Sequence, residues 1–169
     1  IAGFAGRPYA EIACEVMRPF IAGTLADADV ARMAQEAYGA FRHPATAPLT
    51  QVSPSTFVLE LFHGPTLAFK DLAMQLVSRL MDHVLRERNR RTTICVATSG
   101  DTGGAAVEAF RGRSQVDLVV LYPNGRISDV QRRMMTTATE DNVHALAIDG
   151  TFDDCQALVK AMFNNHRFR

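Results

Sequence analysis

Cysteine, lysine and long apolar stretches are scarce in this sequence. Its 169 residues hold three cysteines, Cys14, Cys95 and Cys155, far apart and outside any CxxC or Cys/His spacing. That excludes a disulfide framework or a zinc site and makes a reducing compartment the default. The longest apolar runs, such as Leu118 to Tyr122, fall well short of the roughly 20 residues that span a bilayer. No charged-then-apolar signal segment opens the chain, so the expected location is cytoplasmic. Net charge is also missing: 18 Lys plus Arg balance 18 Asp plus Glu, and the arginines are scattered. A nucleic-acid platform or an anionic membrane surface is therefore excluded as the main partner, and small-molecule chemistry moves forward. What the chain does have is core material, 47% apolar residues. At this length folding hides roughly 70% of the extended surface, so no structural metal is needed. Because the chain opens on Ile1 and stops at Arg169 without a closing element, it reads as a fragment of a longer protein.

The first 55 residues differ from the rest. Ile12, Ala13, Val16 and Met17 share a helical face over Tyr9 to Phe20, and Val30, Met33, Ala34 and Ala37 share another, with Asp27 or Asp29 as cap and Gly39 as stop. His43 to Pro54, rich in Pro, Ser and Thr, reads as a linker. From residue 56 to 169 apolar runs alternate with helical segments. Strands are expected at Phe57 to Phe62, Thr92 to Ala97, Val116 to Tyr122 and Val143 to Ile148, the last three covered on both faces. Helices are expected at Asp71 to Arg86, Gly103 to Phe110, Ser128 to Thr137 and Phe152 to Phe163, the last with Thr151 and Asp154 as a capping pair. The fold class is α/β, an open and mostly parallel sheet with flanking helices, preceded by a helical segment.

Ligands of such sheets collect in strand-to-helix loops, and three loops stand out. In HGPTLAFKD, Lys70 is one of only two lysines beside sixteen arginines. Arginine cannot release its proton at neutral pH, whereas a lysine desolvated near a helix start can serve as a nucleophilic amine. The plainer reading packs the lysine stem on Phe69 and sends the ammonium to solvent. In ATSGDTGGA, glycines allow close backbone approach while Ser99 and Thr102 offer hydroxyls before a helix, the makings of an anion cradle. The alternative is a tight turn with Asp101 or Thr102 as cap. Asp101 sits awkwardly beside an anion unless it is protonated, turned away or paired with a donor. In YPNGRIS, Asn124, Arg126 and Ser128 offer an amide, a guanidinium and a hydroxyl suited to phosphate, or else form a simple Pro-Asn-Gly turn. His63 is expected to shape the lysine loop or simply to pack.

Read together, ELFHGPTLAFKD, ATSGDTGGA, LYPNGRIS and IDGTFDDCQALVK make the sequence resemble the threonine synthase family, pyridoxal-phosphate enzymes of the tryptophan-synthase β-subunit fold, also termed fold type II. The resemblance covers most of residues 57 to 160. It implies a lyase acting in threonine biosynthesis, which converts O-phospho-L-homoserine and water to L-threonine and phosphate, with pyridoxal 5'-phosphate carried by Lys70. It further implies that Ser99, Gly100, Asp101, Thr102 and Gly103 contact the cofactor, Ser99 and Thr102 also the substrate, and that Asn124, Arg126 and Ser128 meet the substrate phosphate. Related dehydratases and cysteine synthases carry asparagine where Asp101 stands. The family's cofactor-phosphate loop and pyridine-nitrogen partner fall beyond Arg169, so this chain by itself is expected to be inactive. The family's members are expected to act as monomers or homodimers on a small molecule, with no metal.

Two other readings remain. A serine/threonine dehydratase or β-replacement enzyme would use Lys70 in the same way without a substrate-phosphate site. A non-catalytic α/β module would cradle a phosphate or nucleotide in SGDTGG and need no lysine.

Overall fold

The computed structural model describes residues 2–167. The chain forms two compact units, Ile1–Leu80 and Met81–Arg169.

In the first unit α1 (Tyr9–Ile21) and α2 (Asp27–Tyr38) pack together. The buried residues of α2 are Val30, Met33, Ala34 and Ala37, the face that the helical spacing predicts. Its N-cap is Ala26 with no side-chain bond, so Asp27 and Asp29 do not cap. They sit in the first turn, where their charge favours the positive end of the helix dipole. Met33 and Ala37 join Leu76 in a core bordered by Met17, Leu25, Tyr38 and Leu80. Tyr38 meets Tyr9 edge to face at 4.7 Å, and burial pushes its phenol up to about 12.

The stretch expected as a linker contains a strand. β1 (Leu49–Ser53) pairs antiparallel with β2 (Thr56–Leu59), with Leu49 opposite Leu59. The physical reason is local: Pro54 and Ser55 turn the chain within reach of itself, so the hairpin forms from neighbours. β2 is thus a hairpin strand and no member of the parallel sheet. Its apolar residues, Phe57, Val58 and Leu59, are exposed, as are Leu49 and Val52.

α3 (Asp71–Glu87) spans the division between the units. The spacing of Leu72, Ala73, Leu76, Val77, Leu80, Met81, Val84 and Leu85 predicts an apolar stripe, and the buried positions correct it. Leu76 is buried, but so are Asp71, Gln75, Ser78 and Asp82, while Val77 is 41% exposed. Most of the row is hydrogen-bonded: Ser78 Oγ donates to the Gln75 carbonyl at 3.1 Å, and Asp82 accepts from Arg86 at 2.6 Å and from the Gln115 N–H at 3.1 Å, while the buried Gln75 Nε2 has no partner among the described residues.

The second unit holds a parallel sheet in the order β3 (Thr92–Ala97), β4 (Val116–Pro123), β5 (Val143–Ile148). Central β4 buries Val116, Leu118 and Val120 completely, each contributing roughly 1.5–3 kcal/mol. In β5, by contrast, His144, Leu146 and Ala147 are exposed and no residue is buried, so the expected cover on both faces is not found there. The helices α4 (Asp101–Phe110), α5 (Asp129–Thr136) and α6 (Phe152–Asn164) follow the three strands. α6 opens on the anticipated capping box of Thr151 and Asp154.

Candidate functional site

Lys70 belongs to the first unit, at the end of a turn that the sequence closes on itself. The Leu67 N–H donates to the Gly64 carbonyl at 3.2 Å and the Asp71 N–H to the Ala68 carbonyl at 3.0 Å. The fully buried Asp71 carboxylate accepts from the Thr66 N–H at 2.8 Å and from the Thr66 hydroxyl at 2.7 Å. A side chain at Gly64 would run into that carboxylate, which accounts for the glycine. Leu67 takes a left-handed φ of 64°, a strain of about 1 kcal/mol for a residue of its kind.

The Lys70 carbonyl accepts from the N–H groups of Ala73 and Met74 at 3.2 and 2.9 Å, so its main chain is locked into the first turn of α3. Its Nζ lies 4.2 Å from the centroid of the Phe69 ring. The ring face gives the amine an electrostatic seat worth roughly 0.5–1 kcal/mol on an exposed aromatic. The side chain is half-buried.

His63, on the opposite side of Gly64 in sequence, donates from Nε2 to Glu60 at 2.7 Å, and Glu60 also accepts from the Thr50 hydroxyl at 2.9 Å. The bond from His63 and then that from Thr50 hold the Glu60 carboxyl below its usual range. His63 therefore ties the lysine turn to the hairpin.

The other candidates lie in the second unit, at the carboxyl edge of the parallel sheet. After β3 the chain enters α4 through Gly100, whose φ of 139° suits glycine alone. Neither Asp101 nor Thr102 caps the helix. The work falls to Thr98, 1% exposed, whose Oγ1 accepts from the N–H groups of Gly100 and Gly103 at 3.0 and 2.8 Å. A threonine just past the strand end can do this because the chain doubles back over it. Ser99 is exposed, and its hydroxyl has no partner among the described residues. Gly103 is buried where a side chain would strike Met135, Thr98 and Val120.

The YPNGRIS loop follows β4 at the same edge. Asn124 donates from its side chain to Asp149, just past β5, at 3.0 Å, and its N–H reaches the Ile148 carbonyl at 2.9 Å. Ser128 is the N-cap of α5, accepting from the Gln131 N–H at 3.2 Å. Two of the three expected phosphate ligands thus have structural partners. Arg126 is exposed, and its charge helps hold the Asp154 carboxyl low, behind the larger effects of the Thr151 N–H and hydroxyl.

The sequence reading missed two residues, one that builds the glycine turn and one that joins it to the YPNGRIS loop. One is Thr98. The other is Gln131, which donates from Nε2 to Asp101 at 2.7 Å and accepts from the Ser128 hydroxyl at 3.1 Å. The signal for it was present as S-x-x-Q at a helix start. The structure therefore gathers Ser99 to Gly103 with Ser128 along one edge, by bonds across α4 and α5, and ties Asn124 to the neighbouring β5 loop.

No family model matches the sequence. Over 168 residues, 99% of the chain, it is 55% identical to the threonine synthase of Pseudomonas aeruginosa and covers 36% of that protein. A PLP-bound threonine synthase from Brucella melitensis superposes with a TM-score of 0.94 at 58% identity, over 99% of this chain and 36% of that one. The threonine synthase from yeast superposes with a TM-score of 0.89 at 40% identity, over 96% of this chain and 34% of that one. The chain spans about a third of the length of the relatives it matches.

Proposed function

Since the chain belongs to the threonine synthase family, we propose that it supplies the reactive lysine and part of the substrate site of a pyridoxal-phosphate-dependent lyase making L-threonine and phosphate from O-phospho-L-homoserine and water. The observation that carries this reading is the seat of Lys70: a primary amine at the start of α3, over an aromatic face, in a turn clamped by a buried carboxylate. Such an amine fits the aldehyde of the cofactor. A hydroxyl at Ser99 and a carboxylate at Asp101, beside a glycine that lets the backbone come close, fit the polar substituents of its ring.

Bound pyridoxal phosphate supplies the electron sink that makes removal of the substrate Cα proton feasible. Residues of this chain would supply part of the remaining machinery. Lys70 Nζ would hold the cofactor and, as a free amine, would take the proton from Cα and return protons to the carbon chain. Ser99 and Thr102 orient the substrate carboxylate at the start of α4, where the helix dipole favours an anion. Gly100 supplies the φ of 139° by which the chain enters α4, and Gly103 lets α4 pack against Met135 and Val120 beneath that approach. Arg126, with Asn124 and Ser128 beside it, receives the substrate phosphate, a guanidinium fork being matched to that group. We further place residues 56–169 in the cofactor-binding core behind an N-terminal segment of residues 1–55, in a cytoplasmic protein; among the described residues no helix is long and apolar enough to cross a membrane.

The test is borohydride trapping of the complete protein with pyridoxal phosphate, followed by peptide mapping and a phosphate-release assay with O-phospho-L-homoserine. A reduced adduct on Lys70, with turnover abolished in Lys70→Ala, is the expected result. An adduct at another lysine, or phosphate release that survives Lys70→Ala, overturns the proposal. Turnover of serine or threonine with no use of the phosphorylated substrate would point to a dehydratase instead.

A further inference from the structure

We propose that Gln131 is a positioning residue for Asp101, holding its carboxylate as a fixed acceptor and coupling the glycine turn to the YPNGRIS loop. This rests on the reading above that Asp101 faces the bound cofactor.

The geometry is specific. The Gln131 side chain crosses from α5 to α4, donating to Asp101 at 2.7 Å, while its carbonyl accepts from the Ser128 hydroxyl at 3.1 Å and its N–H returns to Ser128 at 3.2 Å. All three groups of this residue are committed in a chain Asp101–Gln131–Ser128. The backbone is shaped to admit it: a side chain at Gly100 would occupy the space filled by the Gln131 carboxamide, and one turn further along, Gly103 and Gly104 receive Met135 and Met134 of the same helix. Small residues on α4 thus let α5 come close enough for a glutamine to reach.

The chemistry follows from the donor. A carboxylate at the start of α4 repels an anion, and an amide N–H on one of its oxygens fixes the direction in which the group points. Held in this way, the carboxylate presents an acceptor of defined direction to a donor such as a ring hydroxyl. Because Ser128 caps α5 through the same glutamine, displacing the phosphate loop moves the support of Asp101. Gln131 touches neither reacting atoms nor phosphate in this scheme, and acts through Asp101.

The experiment compares Gln131→Leu, Gln131→Glu, Asp101→Asn and the double variant Gln131→Leu/Asp101→Asn in the complete protein loaded with pyridoxal phosphate, reading kcat, KM for O-phospho-L-homoserine, the visible cofactor band and the melting temperature. Gln131→Leu is expected to lower kcat about ten-fold and alter the cofactor band, with borohydride still trapping Lys70 and the melting temperature nearly unchanged. Gln131→Glu keeps the size and the reach of the side chain but sets two carboxylates together, and is expected to lose more. In the Asp101→Asn background, Gln131→Leu should cost less than about two-fold, the non-additivity of groups acting through one another. A Gln131→Leu or Gln131→Glu protein with the parent's kcat and cofactor band overturns the inference and leaves the lysine chemistry standing. Fully additive losses overturn it in the same way. A parent protein with no adduct on Lys70 removes both.

Discussion

Thr66 gives the buried carboxylate of Asp71 two hydrogen bonds, from its N–H at 2.8 Å and its hydroxyl at 2.7 Å, and the turn they close carries Lys70. Asp71→Ala leaves the Thr66 N–H without its acceptor and a hole under Gly64, so it is expected to lower unfolding stability by about 2–4 kcal/mol. Thr66→Val, which removes only the hydroxyl bond, should cost about 1–2 kcal/mol. Denaturant melts of the complete protein read both, and an Asp71→Ala midpoint equal to the parent's would contradict the clamp.

Neighbouring glycines of α4 should respond with opposite sign. A side chain at Gly103 would meet Met135, Thr98 and, at 3.1 Å, Val120, whereas one at Gly104 finds Met134 at an ordinary 3.5 Å. Gly103→Ala is expected to destabilise by about 1–3 kcal/mol through overpacking. Gly104→Ala should stabilise by up to about 1 kcal/mol, the difference in helix propensity. Thermal melts that rank the two variants the other way would refute the packing described for α4 and α5.

Acid should loosen two particular joints. The Glu60 carboxyl is held low by His63 and Thr50, and that of Asp154 by Thr151 with help from Arg126. A carboxyl lowered on folding contributes stability that is complete above its unfolded value and is lost as pH falls through the folded one. The ordinary values are about 4.3 for Glu and 3.9 for Asp, so the contribution should be intact above about pH 5 and fade below about pH 4. Hydrogen exchange corrected for intrinsic rates should show protection at the start of α6 dropping over that range. Asp154→Asn should abolish this local dependence while leaving that of the hairpin, and a variant that keeps the parent's profile at α6 would assign the effect elsewhere.

Arg126 is the group of the YPNGRIS loop least engaged by the fold, and its removal separates the two ligands. In the complete protein, Arg126→Ala is expected to raise KM for O-phospho-L-homoserine ten-fold or more, about 1.4 kcal/mol or above. Cofactor loading followed by absorbance should change less than two-fold. Equal loss of both would place Arg126 in support of the cofactor rather than of the substrate phosphate.

Periodic and capping signals were the readable part of this sequence. The buried face of α2, the span of α3, the parallel strands and the Thr151–Asp154 box all follow from spacing within one element. Features that depend on a second element were less visible. The polar row of α3 reads as an outer face until Asp82 is seen to accept the Gln115 N–H. β1 hides in a Pro- and Thr-rich stretch because its pairing partner, β2, contributes the hydrogen bonds. The sequence places the cap of α4 at Asp101 or Thr102, at the helix start itself, whereas the acceptor is Thr98, three residues before Asp101 and just past the end of β3. Of the proposed site, the residues named by chemistry were legible; Gln131 was legible only as half of an S-x-x-Q helix start, since its bond to Asp101 spans 30 residues of sequence.

That Thr98, and not its neighbour, holds the turn between strand and helix has an evolutionary consequence. The buried hydroxyl carries the architectural duty, and the exposed position beside it carries none. Divergence at residue 99 can therefore retune what the turn offers a ligand while the scaffold beneath stays the same, so that mutational drift in specificity is separated from drift in foldability by one peptide bond.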